Sequence, residues 1–272
     1  MSNVCILTDS TAQFTQSNFR GRERVHVIPF SIQTDPQPVE NPLFSHASLP
    51  RRLVPPSQQD FTRFYNQLSS EYDSILVITL SSLFNPALDH ARAASAQHSN
   101  HAAVEVVDSQ TTAVGLGMLV QLAAGVASAG ASLTEIEQRL RILLPHLYML
   151  FCLPELTHLA RAGYMSHAQA LAGEMMSMLP IFTIEEGQLV PLEKARTARH
   201  LLEVFQDFIG EFESPAHIAL VRGHGGLRTA PLRQFVQETF PGTPFSEHTL
   251  QPHLAALLGP HSVSLVVMEK LE

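Results

Sequence analysis

The polar residues most able to do chemistry in this chain stand where apolar runs stop. Ser81-Ser82 follows an apolar run over 74–80, Asp9-Ser10-Thr11 follows one over 4–7, and Asp108-Ser109 follows one over 103–107. Hydroxyls at such places satisfy the free amides that open a helix. They also help an N-terminus attract an anion. Ser81 and Ser82 are therefore candidate donors to a carboxylate, with helix capping as the other reading of the same pair. Asn85 adds an amide donor or serves as a turn residue. Asp9 with Ser10 and Thr11 offers a single carboxylate, a thin set for a divalent ion, and organisation of a sheet-edge loop fits them better.

The chain has 14 histidines. His98 and His101 share a helical spacing, and His253 and His261 lie close together, but no third ligand joins either pair at a zinc-like spacing. The segment Arg222-Gly223-His224-Gly225-Gly226-Leu227-Arg228 resembles a phosphate-cradling loop without matching a P-loop or dinucleotide fingerprint. No G-x-S-x-G elbow supports nucleophilic hydrolysis. Met165, Met175, Met176 and Met178 form a run of flexible thioethers that suits an acyl-chain tunnel or an ordinary core.

The elements that must position these residues follow one grammar in the first half. Apolar strand, small polar turn and alanine-rich helix recur, and parallel strands require such crossovers. Strands are expected over 4–7, 25–32 (broken at Pro29), 74–80 and 103–107. Helices are expected over 60–68, up to about 96, over 113–131 and from the capping residue Ser132 onward. Six prolines between 33 and 56 predict a long loop. After 147 the order changes. Strands are expected over 148–153, 179–184, 189–192, 217–221 and 263–268, with a hairpin turn at Glu185-Glu186-Gly187. Helices are expected near 155–161, 166–176 and 195–212, with one more before the last strand. The fold class is therefore α/β, with an N-terminal domain over 1–146 built on a parallel sheet flanked by helices. An α+β domain follows over 147–272, and the ligand cleft is expected between the two.

Composition narrows the function. A formal charge of −8 and no basic run longer than Arg51-Arg52 argue against nucleic acid. Hydrophobic residues make up 45% and charged residues only 15%, which leaves apolar surface to be hidden in a cleft or an interface. Cys5 and Cys152 lie in separate apolar runs and read as small buried hydrophobes. The segment 113–131 carries four glycines and Gln121, so a buried helix is expected rather than a membrane span. With no basic n-region before an apolar stretch, a cytoplasmic protein is expected.

Several stretches resemble the DegV family, in order and at suitable spacing. Ile6-Leu7-Thr8-Asp9-Ser10-Thr11-Ala12 is similar to its opening strand and loop, and Val27-Ile28-Pro29-Phe30 to its second strand. Pro56-Ser57 with Asp60-Phe61 and Tyr65, then Ile78-Thr79-Leu80-Ser81-Ser82 with Ala91, resemble its proline loop and paired-serine turn. Val106-Val107-Asp108-Ser109 with Gly115 and Gly117, Leu179-Pro180-Ile181, and Lys194-Ala195-Arg196-Thr197 continue the match. The resemblance implies two α/β domains with a long-chain fatty acid, such as palmitate or oleate, buried between them. It implies a non-catalytic carrier that offers the carboxylate to a separate ATP-dependent fatty-acid kinase subunit. No cofactor or metal is implied. Expected ligand contacts are Ser81, Ser82, Asn85, Ser10, Thr11, His261, Met165 and Met175.

The chain departs from the family's pattern at three polar places. Leu53 and Val54 stand where a Thr-Ser pair is usual, Ala162-Gly163-Tyr164 replaces a Gly-Gly-Arg segment, and Leu257 occupies the place of a histidine in Leu257-Leu258-Gly259-Pro260-His261. A regulatory protein with a degenerate pocket, or an enzyme using the Gly223 loop on a phosphorylated small molecule, remain alternatives.

Overall fold

The computed structural model describes residues 3–34, 51–161, 163–185, 188–225 and 227–271. The first half runs β1 (Val4–Asp9), β2 (Val25–Ile28), β3 (Ser31–Thr34), β4 (Arg51–Val54), α1 (Gln58–Leu68), β5 (Ser74–Thr79), α2 (Ala87–Ala96), β6 (Ala103–Asp108), α3 (Ala113–Ser128) and α4 (Leu133–Leu143). β2, β1, β5 and β6 form a parallel sheet in that order. Its strands are apolar on both faces because both faces are covered. Leu7, Ile75 and Val77 meet Phe61 and Tyr65 of α1 and Ala91 of α2. Ile6, Leu76 and Ile78 turn the other way onto Leu116 and Val120 of α3 and Leu140 of α4. Helices α1 and α4 begin with reciprocal capping boxes, Ser57 with Asp60 and Ser132 with Glu135, which satisfy orphan amides where the chain must turn.

The second half runs β7 (Leu147–Cys152), α5 (Thr157–Arg161), α6 (His167–Met175), β8 (Leu179–Glu185), β9 (Gln188–Ala195), α7 (Ala198–Gly210), β10 (Pro215–Arg222), α8 (Ala230–Thr239), β11 (Phe245–Thr249), α9 (Pro252–Leu258) and β12 (Val263–Glu269). These strands form a mixed six-stranded sheet ordered β11-β10-β12-β7-β8-β9. One face, with Leu150, Ile218 and Leu265, is covered by Leu201 and Phe205 of α7 and Leu232 of α8. The opposite face, with Phe151, Ala219, Val221 and Val266, shares one apolar cluster with Phe30, Leu80, Phe84 and Val114 of the first half. The two sheets are thus joined through a common core.

Three expectations change. The strand expected over 25–32 divides at Pro29 into β2, in the parallel sheet, and β3, which pairs antiparallel with β4. Proline lacks the amide a continuing ladder needs. The loop expected over 33–56 is a hairpin at both of its ends, since Ser31 to Thr34 pair with Val54 to Arg51; residues 35–50 lie outside those described. One helix was expected between β10 and β12 and two are found, α8 and α9, with the unexpected parallel strand β11 between them, whose Phe-Ser-Glu-His-Thr carries one apolar residue. The turn expected at Glu185-Glu186-Gly187 is flanked by the pair Glu185 and Gln188, while residues 186 and 187 themselves lie outside those described.

Candidate functional site

A cleft of about 1000 Å³ opens beside the shared core. Leu53, Val54, Phe84 and Asn85 line it from the first half, and His158, Arg161, Tyr164 and Leu257 from the second. Its apolar floor is carried by aromatic contacts. The ring of Phe84 stands edge-on to Phe151 at 6.0 Å and to Tyr164 at 6.2 Å, geometry that such rings favour.

The segment from Leu80 to Asn85 is held in place by Asp9, which is fully buried. Asp9 Oδ1 accepts from the amide and hydroxyl of Thr11 at 2.9 and 2.6 Å, and Oδ2 accepts from the Leu80 amide at 2.6 Å. Burial pushes the carboxyl above its ordinary value, while these donors pull it back. Ser10 Oγ accepts from the Phe30 amide at 2.9 Å. Ser10 and Thr11 therefore organise the ends of the parallel strands, and neither is on the cleft wall.

The two serines differ. Ser81 is buried, with its amide donating to the Thr111 carbonyl at 3.0 Å and its Oγ accepting from the Leu83 amide at 3.3 Å. It does not reach the cleft wall. Ser82 does, but its hydroxyl donates to Asp108 Oδ2 at 2.5 Å. A hydroxyl has one proton to give, so Ser82 presents only lone pairs to the cleft. Asn85 is in the opposite condition. Its Oδ1 accepts from the Ala87 amide at 2.8 Å, which fixes the orientation of the side-chain amide, and its Nδ2 is buried without an acceptor among the described residues.

Of the remaining expected contacts, Met165 packs against the shared core. Met175 does not reach the cleft; its side chain on α6 is 75% exposed. His261 pairs through Nδ1 with Glu155 Oε1 at 2.7 Å and stands with its ring 6.3 Å from that of His224, off the cleft wall. The structure therefore brings Ser82 and Asn85 to the cleft and does not bring Ser10, Thr11, Ser81, His261, Met165 or Met175 there.

Sequence reading missed Arg52, His90, His158 and Arg161, all on the cleft wall. Nothing in the spacing of these residues marks them, because one hairpin, β3–β4, and two helices, α2 and α5, drawn from both halves bring them together. His90 Nδ1 lies 2.8 Å from the Pro56 carbonyl, and His158 Nδ1 lies 3.3 Å from that of Ala256. Each ring thereby donates through Nδ1 to a backbone carbonyl. Burial holds His158 below its ordinary value. The Tyr164 hydroxyl is pushed up to about 12 by burial and remains a protonated donor. Leu53 and Leu257 offer no donors, and are 9% and 7% exposed within the shared core.

Three amides of the glycine loop after β10 are already engaged, two of them by the segment before β12. The amides of Gly223 and His224 donate to the carbonyls of Ser262 and Pro260, and that of Leu227 to Gly225. A phosphate cradle needs free amides pointing at one spot, and these three are spent. Among the described residues no group of three or more His, Cys, Asp or Glu converges to hold a metal ion. No described helix is long and apolar enough to cross a membrane.

Comparison with known proteins places this geometry. A family model described as "Uncharacterised protein, DegV family" matches residues 3–270. Protein DegV of Bacillus subtilis is 26% identical over 274 residues, covering 95% of each chain. The fatty acid binding DegV family protein SAG1342 from Streptococcus agalactiae shares the fold with a TM-score of 0.84 at 18% identity, over 100% of both chains. The Streptococcus pneumoniae Fatty Acid Kinase (Fak) B3 protein, solved with linoleic acid, aligns with a TM-score of 0.82 at 15% identity, over 98% of this chain and 100% of its own. Parallel sheet, mixed sheet and the match along nearly the whole chain agree, and this chain belongs to the DegV family.

Proposed function

We propose that this protein binds a long-chain fatty acid, such as palmitate or oleate, in the cleft between two domains divided near residues 146 and 147. The observation that carries the reading is the cleft itself, to which both halves contribute apolar wall (Leu53, Val54 and Phe84; Tyr164 and Leu257) beside a polar portion, with the Phe84 ring packed on Phe151 and Tyr164. Burying a methylene contributes about 0.8 kcal/mol, so a chain of some fourteen supplies roughly 11 kcal/mol before ordering costs. The solved neighbours named for fatty-acid binding support the same ligand class. On this reading the protein is a carrier rather than a catalyst, and a separate ATP-dependent kinase subunit is its partner. The neighbour named as a fatty acid kinase B protein supports that pairing.

Native mass spectrometry of the purified protein, with organic extraction of what it carries, tests the proposal. A retained fatty acid is the expected result. An apo mass that also rejects added palmitate and oleate overturns it, and favours a regulatory protein with a degenerate pocket. Leu53 and Leu257 are the observation behind that second reading, since they leave two polar family positions apolar and buried.

A further inference from the structure

We propose that the head group of the bound acid is held by the Asn85 side-chain amide and the Arg161 guanidinium. This rests on the fatty-acid reading and specifies how this chain recognises the charged end. The hydroxyls that family resemblance would nominate are unavailable. Ser81 is off the cleft wall, and the Ser82 hydroxyl already donates its one hydrogen bond to Asp108. Leu53, Val54 and Leu257 can donate nothing.

Asn85 supplies what they cannot. Its orientation is dictated by chemistry, because flipping the amide would set an NH₂ group against the Ala87 amide that Oδ1 now accepts. Nδ2 is left buried at the cleft wall with two protons and no acceptor among the described residues. An unmatched buried donor is costly, and a ligand oxygen relieves it. Arg161 enters the same cleft from α5 and makes no ion pair among the described residues, so it can take a carboxylate oxygen without first breaking a bond. Asp89 also lines the cleft, and its charge opposes any acid that strays toward α2. The arrangement selects an anionic single-chain amphiphile over its ester or alcohol. It also makes recognition depend on charge where a hydroxyl-only site would not.

The test compares cis-parinaric acid with its methyl ester, titrated by fluorescence into the full chain at low and high salt. The substitutions are Asn85→Asp, which keeps the acceptor for Ala87 and removes the donor, and Arg161→Gln. The wild type should prefer acid over ester by tenfold or more. Asn85→Asp should lose at least tenfold in acid affinity with ester affinity unchanged. Arg161→Gln should lose severalfold and flatten the salt dependence. Should Asn85→Asp fail to fold, as judged by circular dichroism, the salt dependence of Arg161→Gln decides alone. Wild-type acid affinity and salt dependence in folded variants would overturn the head-group assignment and leave lipid binding standing. Failure of the wild type to bind either probe would overturn both.

Discussion

The Asp9 carboxylate accepts the Leu80 amide at 2.6 Å, joining the C-terminal ends of two neighbouring parallel strands through one buried oxygen. The other oxygen holds Thr11 twice. This single side chain sets where the chain leaves β5, and so where Asn85 meets the cleft. Replacing it with alanine strands three donors in the interior, at about 1–3 kcal/mol for the first and less for any that water reaches. Asp9→Ala should lower stability by about 3 kcal/mol in urea unfolding, and Asp9→Asn by about half of that. Equal stability of Asp9→Ala and wild type would contradict this account of the loop.

Ser82 is expected to matter for the loop more than for the ligand. Its hydroxyl spans to Asp108 at the end of β6, an exposed contact. Ser82→Ala should cost about 0.5–1 kcal/mol of stability and change fatty-acid affinity by less than twofold. An affinity loss of tenfold in a protein of unchanged stability would return Ser82 to the head-group site.

A cluster in the mixed sheet predicts how stability follows pH. His217 Nε2 and His248 Nε2 lie 2.8 and 2.9 Å from the same Ser246 hydroxyl. Burial holds both imidazoles below their ordinary value, and for His217 the nearby His248 adds to the effect. The unfolded chain therefore binds protons first as pH falls. Stability attributable to the pair is complete above about pH 6.5 and declines as pH drops below it toward the folded-state value. His26, His98 and His158 shift in the same direction. Urea midpoints measured from pH 7.5 to 5.5 should fall, and the double variant His217→Gln/His248→Gln should fall less steeply. A midpoint that rises on acidification would reverse the assignment.

Both thiols should be inert in the folded protein. Cys5 and Cys152 are buried, and burial pushes each thiol up to about 12. The thiolate is the reactive form. A disulfide reagent at pH 8 should label neither residue in native protein and both in strong denaturant. Rapid native labelling of either would show that its strand opens.

Much of the fold was legible because it rests on local pattern. The parallel sheet was visible in the repeated sequence of apolar strand, polar turn and helix, and α4 in its capping residue Ser132. Strand β11 was not, because a short run with glutamate and histidine becomes a strand only when β10 offers it an edge. The site was less legible than the fold. Ser82 and Asn85 were nominated and do line the cleft, yet residue type alone could not tell which still had a proton to give. That depends on Asp108, 26 residues away. Arg161 and His158 were passed over because their relevance comes from the meeting of α5 with the first half, a long-range contact with no sequence period.

The placement of β12 between β10 and β7 bears on how the protein is made. The four-stranded parallel sheet has all its strands by residue 108, so it can close while synthesis continues. The six-stranded sheet cannot. Its central strand follows every other strand of that sheet in the chain, so β7 and β10 each lack one ladder partner until residues 263–269 emerge. Exposed edges of this kind invite wrong pairing. The mixed sheet therefore cannot be complete until β12 has been made, and the cleft, which needs α9 and α5 as well as the first half, cannot be complete before residue 258.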